Sequence, residues 1–142
     1  MGKTSRDASL LLGDILQAIN EIDVTLRNKT FKSYRAHFGI RRIVERCLLI
    51  VSEAGDNLPD ILKGTQPDIN LRHLDDMGNF IRHEYHHLQD KVMWDTATHD
   101  MPRLKQAVLA MQHAVVHAGR PHARVAAPRG KSRSRGKKRI RV

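Results

Sequence analysis

Apolar residues recur at three- and four-residue intervals almost throughout this chain, and no stretch alternates with period two for long enough to make a strand. That spacing restricts the fold to packed helices. Leu74, Met77, Ile81, Tyr85 and Leu88 fall on one stripe at 100° per residue. Leu12, Ile15, Ile19, Ile22 and Leu26 form an earlier stripe, and Leu104, Val108, Met111 and Val115 a later one. Aromatic residues make up only 4% of the chain, so aliphatic side chains must fill the core. A length of 142 residues suits one such core.

The expected elements follow from these stripes and their breaks. A first helix is predicted over 5–28, capped by Ser5 or Asp7. A second is predicted as one unbroken helix over 30–57, its later half the most buried part of the fold. Leu58-Pro59 interrupts it, Ile61-Leu62 continues as a turn, and residues 64–68 form a loop. The third main helix is expected over 69–89. Val92-Met93-Trp94 is a short apolar anchor, Thr98-His99-Asp100 reads as a cap, and Met101-Pro102 opens the last helix. The fold class is all-α, a four- to five-helix bundle with a disordered basic C-terminal tail: a helical domain over 5–118, then the tail over 119–142.

The net charge of +10 belongs to that tail. Residues 119–142 hold ten Lys and Arg and no acid, leaving fifteen basic against fifteen acidic residues in the body. Gly, Pro, Ser and Arg cannot build a core. Arg133, Arg135, Lys137, Lys138 and Arg139 are the expected nucleic-acid contacts, acting through counterion release with little sequence preference. The alternative is a solubilising tail with no partner. No run of eighteen apolar residues suggests a membrane span, no apolar segment suggests a secretory signal, and Arg6 stands where a myristoylation signal wants Ser or Thr. The lone Cys47, within an apolar run, reads as a packed small hydrophobe. These features point to a cytoplasmic protein without a membrane partner.

The chemistry is concentrated between Asp75 and Leu88. Opposite the apolar stripe lie Asn79 and His83, four residues apart, flanked by Asp76 and His86. Unpartnered polar groups are costly to bury, so this face is solvent, a site or a subunit contact. His83-Glu84-Tyr85-His86-His87 also matches the zinc pattern H-E-x-x-H. Five of the nine histidines lie between His73 and His99, which makes a chance match easy. Glu84 is the last glutamate, and the extended motif's Gly and His positions hold Asp90 and Met93. No metal site or cofactor is expected.

Read as Asn79-x-x-x-His83-x-Tyr85, the stretch resembles the HepT-like family of the HEPN superfamily, small all-α proteins that act as toxins. Ser52-Glu53-Ala54, Leu58-Pro59, Gln66-Pro67-Asp68-Ile69, Val92-Met93-Trp94 and Asp100-Met101-Pro102-Arg103-Leu104 extend the resemblance from about Leu10 to Ala118. The resemblance implies a metal-independent RNase of a toxin–antitoxin system, with a composite RNA-cleaving cleft formed by a homodimer. It implies a nucleotidyltransferase antitoxin that adds AMP to the toxin's tyrosine. Position by position it makes His83 the catalytic histidine, Asn79 its polar companion and Tyr85 the AMP acceptor. One departure stands out: the family's arginine, five residues before the histidine, is Gly78 here. Activity is then expected to be weakened, with Arg82 the candidate substitute cation, and Gly78→Arg is expected to raise cleavage while helping the helix. The rival reading is a non-catalytic HEPN interaction module that binds a nucleotidyltransferase partner or RNA.

Overall fold

The computed structural model describes residues 5–83 and 89–118. Its elements are α1 (Ser5–Leu26), α2 (Phe31–Ala36), α3 (Phe38–Asp56), α4 (Asp60–Gly64), α5 (Leu71–His83), α6 (Asp90–Asp95), a π-helical segment (Thr96–Asp100) and α7 (Met101–Ala118). No strand occurs among the described residues. The all-α architecture with four main helices is as the spacing requires. α3 packs against both α1 and α5, and α1 also packs against α7.

The core is the set of stripes the sequence displays. Leu12, Ile15, Ile19 and Ile22 of α1 meet Val44, Cys47, Leu48 and Val51 of α3. Leu104, Val108 and Met111 of α7 complete that side. Leu74, Met77 and Ile81 bury the inner face of α5. Cys47 is buried, with its Sγ 3.5 Å from a Glu21 carboxylate oxygen. Burial, then that hydrogen bond and charge, pushes its thiol from an ordinary value near 9 up to about 11. It is a packed hydrophobe.

The expected single helix over 30–57 is instead two, broken at His37, whose backbone is extended (φ −108°, ψ 100°). The reason is tertiary. In one unbroken helix Phe31 would fall in phase with Phe38 and Arg42, on the solvent side of α3. The break re-aims α2 so that Phe31 and Tyr34 lie against Trp94, with ring centroids 6.2 Å and 5.5 Å away. Tyr34 is fully buried, and burial followed by the charge of Glu45 raises its hydroxyl far above the ordinary tyrosine range. The start of α2 is locally encoded. Asn28 takes a left-handed φ of 59°, and Thr30 and Ser33 cap each other's backbone N–H at 3.2 Å and 2.9 Å.

Phe38 and Ile43, apolar residues within the expected second helix, are exposed, at 72% and 47%. Ile61-Leu62 belongs to a short helix, α4, which buries Leu62 and leaves Ile61 in solvent. Thr98-His99-Asp100 does not cap a helix, because α6 runs through the π-helical segment into α7. The hydroxyls of Thr96 and Thr98 donate back to the carbonyls of Val92 and Trp94, at 2.8 Å and 2.7 Å, as side chains inside a continuous helix do. The third main helix is described only to His83; the expected 84–88 portion and the basic tail lie outside the described residues.

Candidate functional site

The inner face of α5 is held against α3, which fixes the direction of the outer one. With Leu74, Met77 and Ile81 buried, Arg72, Asp76, Asn79, Phe80 and His83 are turned to solvent. Asn79 and His83 stand one turn apart, a spacing that puts their Cβ atoms about 5–6 Å from each other. An amide and an imidazole are thus presented side by side, and neither has a hydrogen-bond or ionic partner among the described residues. Phe80 adds a 39% exposed ring to the same face.

Gly78 sits at the contact between α5 and α3. It is buried and faces α3, away from the Asn79–His83 face. A Cβ built on it would sit 2.0 Å from the Ser52 Oγ and 2.6 Å from the Ser52 Cβ. Glycine is there because the Ser52 side chain of α3 fills the space a side chain at 78 would need, so an arginine at 78 must displace Ser52 before it adds a cation. The expectation that Gly78→Arg helps the helix fails for the same reason. Ser52 is 1% exposed, and its Oγ has no hydrogen-bond partner among the described residues.

Arg82 occupies the space beside this contact. One guanidinium nitrogen lies 3.1 Å from where a Gly78 Cβ would be, and another pairs with Glu53 of α3 at 3.6 Å. The guanidinium therefore folds back one turn to the point from which an arginine at 78 would start. Glu53 is the residue beside the site that side-chain patterns alone did not expose. Its signal was its place beside Ser52, on the side of α3 that meets α5.

Tyr85 and, in the zinc-like pattern, Glu84, His86 and His87 are outside the described residues, as are Arg133, Arg135, Lys137, Lys138 and Arg139. Among the described residues no group of three His, Cys, Asp or Glu is placed to hold a metal ion, and no helix is long and apolar enough to cross a membrane. The segments around Asp68-Ile69 and Asp100-Met101-Arg103-Leu104, distant in sequence, converge to line a cleft of about 200 Å³ that also takes in His73. That cleft does not include Asn79 or His83.

An all-α bundle with one polar helix face is the class of protein that this geometry defines. Comparison with known proteins narrows it. The family model for HepT-like proteins, described as "Ribonuclease HepT-like", matches residues 15–111. The chain belongs to the HepT-like ribonuclease family. It is similar to a "Probable ribonuclease HepT" of Thermococcus cleftensis, 32% identical over 66% of this chain and 86% of the relative. Two proteins of Methanocaldococcus jannaschii, both named "Putative RNase", are 27% and 26% identical over 71% of this chain, covering 84% and 87% of their own lengths. No solved structure matches the chain.

Proposed function

We propose that this protein is a metal-independent endoribonuclease, the toxin of a toxin–antitoxin pair, in which Arg82 takes the part of the missing motif arginine. The observation that carries the reading is the Asn79–His83 face with a guanidinium folded over Gly78 beside it. Cleavage of RNA through its own 2′-hydroxyl needs a base for that hydroxyl, positive charge at the phosphorane and an acid for the leaving oxygen. His83 of one protomer serves as base and His83 of a second as acid, in a cleft built from two α5 helices. Asn79 positions the phosphate or ribose by hydrogen bonds, and the exposed Phe80 ring supplies an apolar contact for the dimer. Activity is attenuated because Glu53 competes with the phosphate for Arg82. A nucleotidyltransferase antitoxin silences the toxin by adding AMP to Tyr85, and RNA as substrate puts this work in the cytoplasm.

Four proteins test the assignment: the parent, His83→Ala, Arg82→Gln and Glu53→Gln, each on the same RNA. Loss of a charge that acts in the transition state costs roughly 10²–10³ in rate, so Arg82→Gln should fall by that factor. Glu53→Gln, which frees the guanidinium, should cleave faster than the parent, and His83→Ala should not cleave. Equal rates for the Arg82 and Glu53 variants would remove Arg82 from the mechanism. The absence of the motif arginine at Gly78 favours a second reading, a non-catalytic module that binds its nucleotidyltransferase partner or RNA. No cleavage by the parent or by Glu53→Gln would favour that reading.

A further inference from the structure

The strongest charge concentration in the described residues lies away from the Asn79–His83 face. From Arg27 to Arg46 there are seven Lys and Arg and one acid, Glu45. Arg41 is engaged by Asp90 at 3.9 Å and by the Arg35 carbonyl, and Arg42 by Glu45 at 2.8 Å. Arg27, Lys29, Lys32, Arg35 and Arg46 are exposed and form no ion pair among the described residues. Amid these cations stands Phe38, 72% exposed and without a ring or cationic partner among the described residues. We propose that the α2–α3 corner is a docking site for single-stranded RNA, with Phe38 as a stacking platform and Arg42 and Arg46 as phosphate contacts. The proposal rests on the reading of this chain as an RNA-acting protein and extends it to where the strand is held.

The register of α3 gives the site a direction. Phe38, Arg42, Arg46, Leu49 and Glu53 recur at four, four, three and four residues, so they form one stripe along the outer side of the helix. Fifteen residues of helix extend about 22 Å. The far end of the stripe is Glu53, which pairs with Arg82, the neighbour of His83. A strand stacked on Phe38 and neutralised by Arg42 and Arg46 is thereby led toward the Asn79–His83 face. Alternating aromatic and basic groups suit single-stranded nucleic acid, because every base has a π-face and every linkage a charge. A second copy of this chain seated symmetrically on the corner would bring the same seven cations against their equals. A lipid surface would need an apolar helix face, and that of α3 is spent in the core.

The test uses the full chain and a short labelled 2′-O-methyl oligoribonucleotide, which cannot be cleaved through its 2′-oxygen, read by fluorescence anisotropy over a salt series. Replacing Phe38 with Ala should weaken binding roughly 5- to 150-fold for each base that stacks on it, while Phe38→Trp should retain affinity. Arg42→Gln with Arg46→Gln should reduce the slope of log affinity against log salt by roughly 1.4, about 0.7 per phosphate contact. Phe38 and Arg46 are exposed and unpaired, so their variants should keep the parent's melting temperature, while Arg42→Gln also gives up the pair with Glu45; melting temperatures are measured alongside. Affinity and slope equal to the parent's in every variant would overturn the proposal, and so would Phe38-dependent binding confined to phosphatidylserine vesicles. His83-dependent cleavage with unaltered binding in these variants would remove the docking site and leave the proposed activity standing. The stated losses in a protein that cleaves nothing would do the reverse.

Discussion

Replacing Gly78 with alanine is the smallest perturbation that tests how α3 and α5 are held together. The new Cβ would sit 2.6 Å from the Ser52 Cβ, where ordinary contact begins at 3.4 Å, so the two helices must separate by most of an ångström. A gap of 0.5–1 Å forfeits roughly a quarter to a half of the dispersion energy of every facing contact. Leu74, Met77 and Ile81 pack on this side of α5, and overpacked cores commonly lose about 1–3 kcal/mol. Against this, alanine gains about 0.5–1 kcal/mol over glycine within a helix. The expected net effect is a loss of about 1–2 kcal/mol, measured by urea denaturation of the full chain followed by circular dichroism. Removing both clashing Ser52 atoms supplies the control. In a double-mutant cycle, Ser52→Gly with Gly78→Ala should show a favourable coupling of at least about 0.5 kcal/mol. Stability of Gly78→Ala equal to or above the parent's, or zero coupling, would refute the close-approach argument. Gly78→Arg should be worse than Gly78→Ala in the same assay.

Other consequences can be measured on the same protein. Ser52→Ala removes a buried hydroxyl that has no partner among the described residues and should stabilise the fold by about 1 kcal/mol. His83→Ala, which alters an exposed group, should change stability by less than about 0.5 kcal/mol. Cys47 titrates higher in the folded state than in the unfolded one, so its contribution is fully present below about pH 9 and is lost as pH rises toward about 11. The fall in unfolding free energy across that window should be smaller in Cys47→Ala. The residual slope above pH 10 would come from Tyr34, whose hydroxyl is shifted in the same direction.

Helix faces were legible in the sequence because they depend on spacing alone. Leu12 to Ile22 and Leu74 to Ile81 bury as their periodicity demands, and Asn79 and His83 are exposed opposite the second of these stripes. The break at His37 was hidden, since no proline or glycine marks that position and its cause is Trp94, nearly sixty residues away. Thr98-His99-Asp100 misled for a related reason. A threonine hydroxyl caps a helix or bonds back within one, and the choice follows from what precedes it. Gly78 could be recognised as a departure from the family pattern, but its physical reason is Ser52, a partner in another helix. The same blindness applied to Glu53, whose pairing appears only once Arg82 reaches across to it.

His83, as proposed, drives cleavage of RNA through the RNA's own 2′-hydroxyl. The most direct measurement incubates the purified parent and His83→Ala with a labelled RNA in the presence of EDTA and identifies the ends of the fragments. The parent should give fragments ending in 2′,3′-cyclic phosphate, and His83→Ala should lose at least about 10²-fold in rate. Fragments with 3′-hydroxyl ends, or equal cleavage by both proteins, would contradict that role.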